Sequence, residues 1–172
     1  MDRRTLIQAS LAVSIAPSAA LAQTSANMPT PETRHAAETL EAGTVSLETS
    51  KAALAKSGDG SLKRFAEFEV AEQETIAKVV KAAAKMPEGN PAKLGTEAQS
   101  MIDKLKAMPA GKEFDMAYFK GQMDGHTKLL KIQETYLGAG KDPTQRAIAM
   151  LAMGHIKEHL ANLEGMKKTM AG

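Results

Sequence analysis

The chain has no cysteine and no tryptophan, and aromatic residues make up only 3% of its 172 residues. Without cysteine it can form no disulfide bond and carry no lipid anchor on an N-terminal cysteine. Alanine, leucine, lysine, glutamate and methionine are abundant instead, which favours helices. With 43% hydrophobic and 24% charged residues, the composition is that of one globular domain rather than a disordered chain.

A strong excess of charge of one sign is also missing. The formal net charge is only +2, and it falls to +1 if Asp2, Arg3 and Arg4 are removed with an export signal. No basic stripe of the kind that binds nucleic acid is present, so no nucleic-acid partner is expected. The sequence also has neither a glycine-rich phosphate loop nor a nucleophile elbow.

Long hydrophobic runs are scarce, and the one near the N-terminus predicts a signal peptide. The apolar run from Leu6 to Ala16 is shorter than the ~18 residues of a membrane span, and no transmembrane segment is expected elsewhere. Arg3-Arg4 precede this run, and the small-residue site Ala20-Leu21-Ala22 follows it. Residues 1–22 are therefore interpreted as a signal cleaved after Ala22, by a twin-arginine or an ordinary secretory route, which predicts a periplasmic protein.

The first half of the mature chain is predicted to form two helices joined by a tight turn. Residues 23–30 read as a linker, and Thr30 followed by Pro31 predicts the start of a helix that ends near Lys56. Four turn-forming residues, 57–60, separate it from a second helix, which is predicted from Ser61 to Met86.

The second half contains a long connection and two more helices. Residues 87–113 are rich in proline and glycine, but helical periodicity over 96–108, with Thr96 and Gln99 as a capping box, predicts a short helix. A third long helix is predicted from an Asp115 cap to Leu137, and Asp142-Pro143 start a fourth that runs almost to the end.

These elements predict an all-α fold in which residues 31–172 form a four-helix bundle. Two tight turns and a long crossover, which carries the short extra helix, fit ferritin-like connectivity. A plain up-down-up-down bundle is the alternative.

The inward face of the second helix contains two carboxylates. Its apolar stripe is predicted to include Phe65, Phe68 and Val79, and Glu69 and Glu72 fall inside that stripe. Gln73 lies at its edge. Buried carboxylates are costly unless they are protonated, paired or bound to a cation, so these two require a partner.

The third and fourth helices offer the bases that could partner these carboxylates. His126 occupies a core position of the third helix, in a stripe that starts at Met116, and His159 lies on the inward arc of the fourth. His155 falls on the margin of that arc, and His35 in the first helix is expected to be exposed.

With ferritin-like connectivity, Glu69, Glu72, His126 and His159 share one layer to within about one helical turn, with Glu48 and Gln73 at its edge. Carboxylates and imidazoles that project inward from facing helices build the metal sites of di-iron and di-manganese bundles. The layer is therefore a candidate site for iron, manganese or another divalent metal. The alternative is a hydrogen-bonded polar layer that fixes helix register.

At the same residues the chain resembles a known family, the ferritin-like bacterial exported proteins catalogued as domain of unknown function 4142. The resemblance covers about residues 35–168. It is carried by four segments: 41–47, 62–73, 114–118 with 125–130, and 158–160.

This resemblance implies the fold and export, but no activity. It implies an acidic residue and a histidine late in the second-helix motif, where this chain has Glu72 and Gln73, and the amide of Gln73 is a poorer metal ligand than imidazole. His126 and His159 match the other histidines of the family. Two classes of function remain: a metal-binding or redox protein that protects the envelope, and a non-enzymatic bundle that binds another envelope component. The sequence predicts neither a catalytic residue nor an oligomeric state.

Overall fold

The computed structural model describes residues 28–170, and the described chain is helical. The predicted signal peptide and residues 23–27 of the predicted linker lie outside the described residues. Five helices follow one another: α1 Pro31–Lys56, α2 Gly60–Ala83, α3 Thr96–Ala107, α4 Lys112–Ala139 and α5 Pro143–Met170. None of the described helices is both long enough and apolar enough to cross a membrane.

The helix ends follow the local sequence signals, with one clear exception. Thr30 caps α1 by accepting a hydrogen bond from the Thr33 amide, and the Asp59 carboxylate caps α2. The prediction that Asp115 caps the third long helix was wrong, because α4 begins at Lys112, after Gly111 with φ 141°. Asp115 is buried in the first turn instead, where its Oδ2 accepts a hydrogen bond from the Gly58 amide.

Contacts at the two ends of the bundle establish the crossover connectivity. The Gly58–Asp115 contact joins the α1–α2 turn to the start of α4, so the crossover returns the chain to that end. At the other end, Glu32 near the start of α1 accepts a hydrogen bond from the Lys141 amide between α4 and α5. Consequently α1 runs antiparallel to α2 and α4, and the ferritin-like connectivity is confirmed.

The short helix α3 lies in the crossover and packs mainly on α1. Ala98, Ile102 and Leu105 form its buried face. Thr96, predicted to cap this helix, is its first residue, and the preceding Gly95 makes no side-chain cap.

The buried face of α2 is narrower than its sequence stripe predicted. Phe68 and Val79 are 63% and 45% exposed, and Met116 on α4 is 43% exposed. The buried positions of α2 instead follow a tight helical repeat through Leu62, Phe65, Ala66, Glu69, Gln73 and Val80. Glu69 is therefore at the centre of the inward face, and Phe68 lies outside it.

Candidate metal centre

Three side chains from three helices meet in the middle of the bundle. Glu69 comes from α2, His126 from α4 and His159 from α5. Glu69 and His126 are buried, while the His159 side chain is 12% exposed. One oxygen, one Nε2 and one Nδ1 therefore converge on a region that is almost closed to water.

Both carboxylate oxygens of Glu69 have hydrogen-bond partners. Oε1 lies 3.1 Å from His126 Nε2 and 2.7 Å from His159 Nδ1. Oε2 accepts a hydrogen bond from the Ser46 hydroxyl and lies 3.4 Å from Gln73 Nε2. These contacts offset the desolvation penalty of burying a carboxylate here.

The orientation of the His126 ring is fixed by its other nitrogen. Nδ1 donates a hydrogen bond to the Gln122 carbonyl at 2.8 Å, so in the neutral ring the lone pair is on Nε2. In that neutral form the lone pair faces Glu69 Oε1 and lies 3.1 Å from His159 Nδ1, and His126 donates to Glu69 only when Nε2 also carries a proton. Acceptors this close need a proton or a cation between them. A histidine whose second nitrogen is held by a carbonyl is also the usual arrangement of a metal ligand.

His159 joins Glu69 to the second carboxylate of the layer. Its Nδ1 faces Glu69, and its Nε2 lies 3.3 Å from Glu72 Oε2. The Glu72 side chain is 21% exposed, so it lies at the edge of the site where the layer approaches the surface. Phe65 covers both rings, with centroid distances of 5.9 Å to His126 and 5.3 Å to His159.

The pKa shifts favour a negatively charged Glu69 beside a positively charged His159. Burial by itself would raise the pKa of Glu69, but the hydrogen bonds from His126 and His159 outweigh it and hold that pKa well below its ordinary range. Burial likewise acts to lower the pKa of His159, and the contact with Glu69 overcomes it, so the pKa is raised. The pKa of Glu72 is raised because burial disfavours its charged form.

The donor set fits a first-row transition ion. Zinc binds histidine nitrogen at about 2.0–2.1 Å and carboxylate oxygen at about 2.0–2.2 Å, which places tetrahedral ligand atoms roughly 3.3 Å apart. The three facing atoms are separated by 2.7, 3.1 and 3.1 Å. Small side-chain rotations would bring them to the required spacing.

The centre offers fewer potential metal ligands than a dinuclear site requires. Among the described residues, Glu69, His126 and His159 are the one group of histidines and acids close enough to hold an ion. Glu48, predicted at the edge of the layer, instead binds Lys106 of α3 at 2.6 Å and Lys51 at 3.4 Å. Gln73 does border the layer, where it contacts Glu69.

Comparison with known proteins identifies the family of the chain. The family model described as Domain of unknown function (DUF4142) matches residues 16–166. The chain belongs to the DUF4142 family. Comparison with curated proteins gives no significant match.

A solved structure shares the fold of this DUF4142 domain. The crystal structure of a DUF305 fragment from Deinococcus radiodurans matches 80% of this chain and 97% of its own, with a TM-score of 0.65. The sequence identity is 14%, so the likeness concerns the fold alone.

Sequence reasoning missed the short polar side chains that support the centre of the DUF4142 domain. The Ser46 hydroxyl contacts Glu69 and lies 2.9 Å from Gln122 Oε1, and Gln122 Nε2 donates to Thr49 at 3.1 Å. Ser50, 3.4 Å from Gln122 Nε2, continues this network to the Tyr118 hydroxyl at 2.8 Å. Serine and threonine are common on helices rich in small residues, so only their position opposite Glu69 could have singled them out.

The domain also contains a second buried polar layer, and the prediction that His35 is exposed was wrong. His35 is 3% exposed, and its ring nitrogens face Gln133 Oε1 at 2.6 Å and Gln145 Oε1 at 3.3 Å. The ring stacks on Tyr136 with a centroid distance of 4.1 Å. This layer offers amide oxygens rather than carboxylates, and so has no charged metal ligand.

Proposed function

We propose that this protein is exported to the periplasm and binds one divalent first-row transition ion through Glu69, His126 and His159. Iron, manganese and zinc all accept such ligands. The observation that carries the proposal is the meeting of three facing donor atoms within 3.1 Å of one another, with His126 Nδ1 engaged elsewhere. Glu72 is the nearest further carboxylate, through its contact with His159.

A single ion is more consistent with the ligands than a dinuclear centre. Di-iron and di-manganese bundles use about four carboxylates and two histidines. Here Glu69 and Glu72 are the two carboxylates of the layer, and Gln73 supplies a neutral amide beside them. The role that fits is binding of a metal in the envelope, as a buffer against metal or oxidative stress, and we assign no catalytic residue.

A second candidate function has one specific observation in its favour. The Glu69 carboxylate has four contacts with side chains of three other residues on different helices and with Gln73 of its own helix, an arrangement that suits a hydrogen-bonded layer that fixes helix register. In that case the protein is a non-enzymatic bundle that binds another envelope component. The two candidates differ in whether metal changes the stability of the fold.

Thermal unfolding of the mature protein, prepared without a histidine tag, separates the two. A site-bound ion present at about 100 times its dissociation constant should raise the melting temperature by about 5–10 °C, and a chelator should reverse the shift. His159→Gln should abolish the shift, whereas His155→Gln, an exposed histidine one turn away, should preserve it. An unchanged melting temperature of the wild type with zinc, manganese, iron, cobalt, nickel and copper would leave the register role.

A further inference from the structure

A cavity of about 650 Å³ lies between α1, α3 and α4, on the far side of Ser46 and Gln122 from the Glu69 carboxylate. Its volume is in the range of small-molecule sites, which is about 300–1,000 Å³. The proposed metal centre uses none of this space.

The cavity exists because α3 is fastened to α1 and bridges over α4. Glu41 accepts a hydrogen bond from the Gly95 amide at 2.7 Å, Glu48 binds Lys106 at 2.6 Å, and Lys56 donates to the Met108 carbonyl at 2.9 Å. These contacts hold both ends of α3 on α1.

The surface of α4 that faces α3 lacks the side chains that would fill the gap. It carries Ala117, Gly121 and Gly125 at successive turns. A Cβ atom added at Gly121 or at Gly125 would meet nothing within 4 Å. The empty volume is therefore a consequence of small residues at positions where larger ones would fit.

The lining has apolar walls and a polar floor. Val45, Ala98, Met101 and Leu105 contribute apolar surface. The floor contains Ser46 and Gln122, which are 6% and 2% exposed. The single Ser46 proton is shared between Glu69 and Gln122, so the hydroxyl oxygen keeps lone pairs that can accept a hydrogen bond from a ligand.

The rim does not select a charged ligand. Lys104 and Lys128 lie near Glu41, Glu97 and Asp124, so both signs of charge surround the opening. The space beneath α3 is also too small for a protein helix, which is about 10–12 Å across with its side chains. Volume, lining and rim together favour a small neutral molecule.

We propose that the cavity beneath α3 binds an uncharged, mainly apolar small molecule whose single hydrogen-bond donor faces Ser46. The apolar walls contact the apolar part of the ligand, and the Ser46 oxygen orients the donor. Since Ser46 also contacts Glu69, the ligand lies one side chain away from the carboxylate layer. Binding does not require an ion in that layer.

Titration with N-phenyl-1-naphthylamine, an uncharged fluorescent amine with one N–H donor, tests the proposal. The wild type should bind it saturably, at one molecule per chain. Gly121→Leu and Gly125→Leu should weaken binding by at least about tenfold, because the new side chain fills the cavity. Gly154→Leu, at an exposed glycine of α5 where a Cβ also meets nothing within 4 Å, should change it by less than about twofold.

Two further measurements test probe binding without relying on variants that could misfold and separate it from metal binding. In the wild type labelled at methionine methyl groups, the probe should shift the resonances of Met101 and Met108, which line the cavity, but not that of exposed Met150. Glu72→Gln, outside the cavity, should leave probe binding unchanged whatever it does to metal binding. Absence of saturable binding to the wild type, equal binding by Gly121→Leu, or shifts at Met150 in place of Met101 and Met108 would overturn the proposal.

Discussion

Loss of the His126 ring would remove a partner of the Glu69 carboxylate, and no other group of the described residues is placed to replace it. His126 Nε2 contacts a carboxylate that is 0% exposed, and the ring centroid lies 5.9 Å from that of Phe65. The carboxylate cannot turn toward water, because Ser46 and Gln73 hold its other oxygen. The cost of breaking this pair is thus mainly the cost of a buried charge that is incompletely compensated.

We expect His126→Leu to lower the free energy of unfolding of the metal-free protein by about 3 kcal/mol, near the lower end for a broken buried pair, since His159 still contacts Glu69. Urea denaturation measures this change. The exposed His155→Leu is the control and should change stability by less than about 0.5 kcal/mol. Equal stability of the two variants would show that His126 does not stabilise the buried carboxylate.

The raised pKa of His159 gives the metal-free fold a pH dependence of known sign. A base whose pKa in the folded state exceeds its ordinary 6.5 stabilises the fold fully below that value and loses the contribution as pH rises through the folded pKa. Stability in the presence of a chelator should therefore fall as the pH rises above the ordinary histidine value of about 6.5. His159→Gln should flatten this part of the profile, and a slope that the variant retains would assign it to another group.

At the scale of the helices, the C-terminal end of α4 depends on one close approach. Gly140 follows the last residue of α4, and a Cβ atom there would lie 1.9 Å from Tyr136 Cε2. The Tyr136 ring cannot move aside freely, because it stacks on buried His35. Gly140 is therefore required by packing, since its φ of −72° suits any residue.

Gly140→Ala should cost about 1–3 kcal/mol, because it overpacks the Tyr136–His35 stack. Gly138→Ala is the matched control: its Cβ meets nothing within 4 Å, and alanine in a helix should be neutral or stabilising by up to about 1 kcal/mol. Thermal or urea unfolding of the two variants measures the difference. A Gly140→Ala variant as stable as Gly138→Ala would contradict the packing argument.

The sequence predicted the helices better than it predicted their faces. Turn residues such as 57–60 and the Asp142-Pro143 pair punctuate the chain locally, so α1, α2 and α5 begin within a residue of their predicted starts. The apolar stripe in the sequence of α2 is wider than the surface that is buried, so Phe68 and Val79 were wrongly predicted to lie in the core, and His35 was wrongly predicted to be exposed. Their burial depends on which helices become neighbours, and no single helix contains that information.

The same reasoning explains which site residues could be found. A carboxylate within an apolar stripe is conspicuous, and Glu69, His126 and His159 meet as the shared depth of their helices predicted. Glu48 has a similar depth on α1, but it faces α3, a helix whose position in the bundle the periodicity does not reveal. Ser46 and Gln122 carry no charge, so nothing in the sequence marked them as partners of Glu69.

For the whole molecule, the crossover sets the directions of α4 and α5 and the contacts at the two ends of the bundle. Because the chain returns to the α1–α2 turn before α4 begins, α4 runs parallel to α2 and α5 runs antiparallel to both. A plain up-down-up-down order would reverse α4 and α5 relative to α2. His126 and His159 lie near mid-helix, so their level would change little, whereas the contacts at both ends of the bundle would be lost.

Export is a prediction that concerns the whole chain. We expect the mature protein to begin at Gln23, after cleavage of residues 1–22. N-terminal sequencing of protein recovered from the periplasm measures this directly, and exported protein that still begins at Met1 would contradict it. Replacement of Arg3 and Arg4 by lysine should abolish export if the twin-arginine route is used, and unchanged export would assign the ordinary secretory route.

Metal stoichiometry tests the central claim most directly. Mature protein without a histidine tag would be dialysed to equilibrium against zinc, manganese or iron(II), and the bound ion counted by elemental analysis, for the wild type, His159→Gln and His155→Gln. The account predicts about one ion per chain in the wild type and in His155→Gln, and none above background in His159→Gln. Of the two substitutions, only His159→Gln removes a ligand of the Glu69 group. No bound ion in the wild type, or equal binding by His159→Gln, would contradict it.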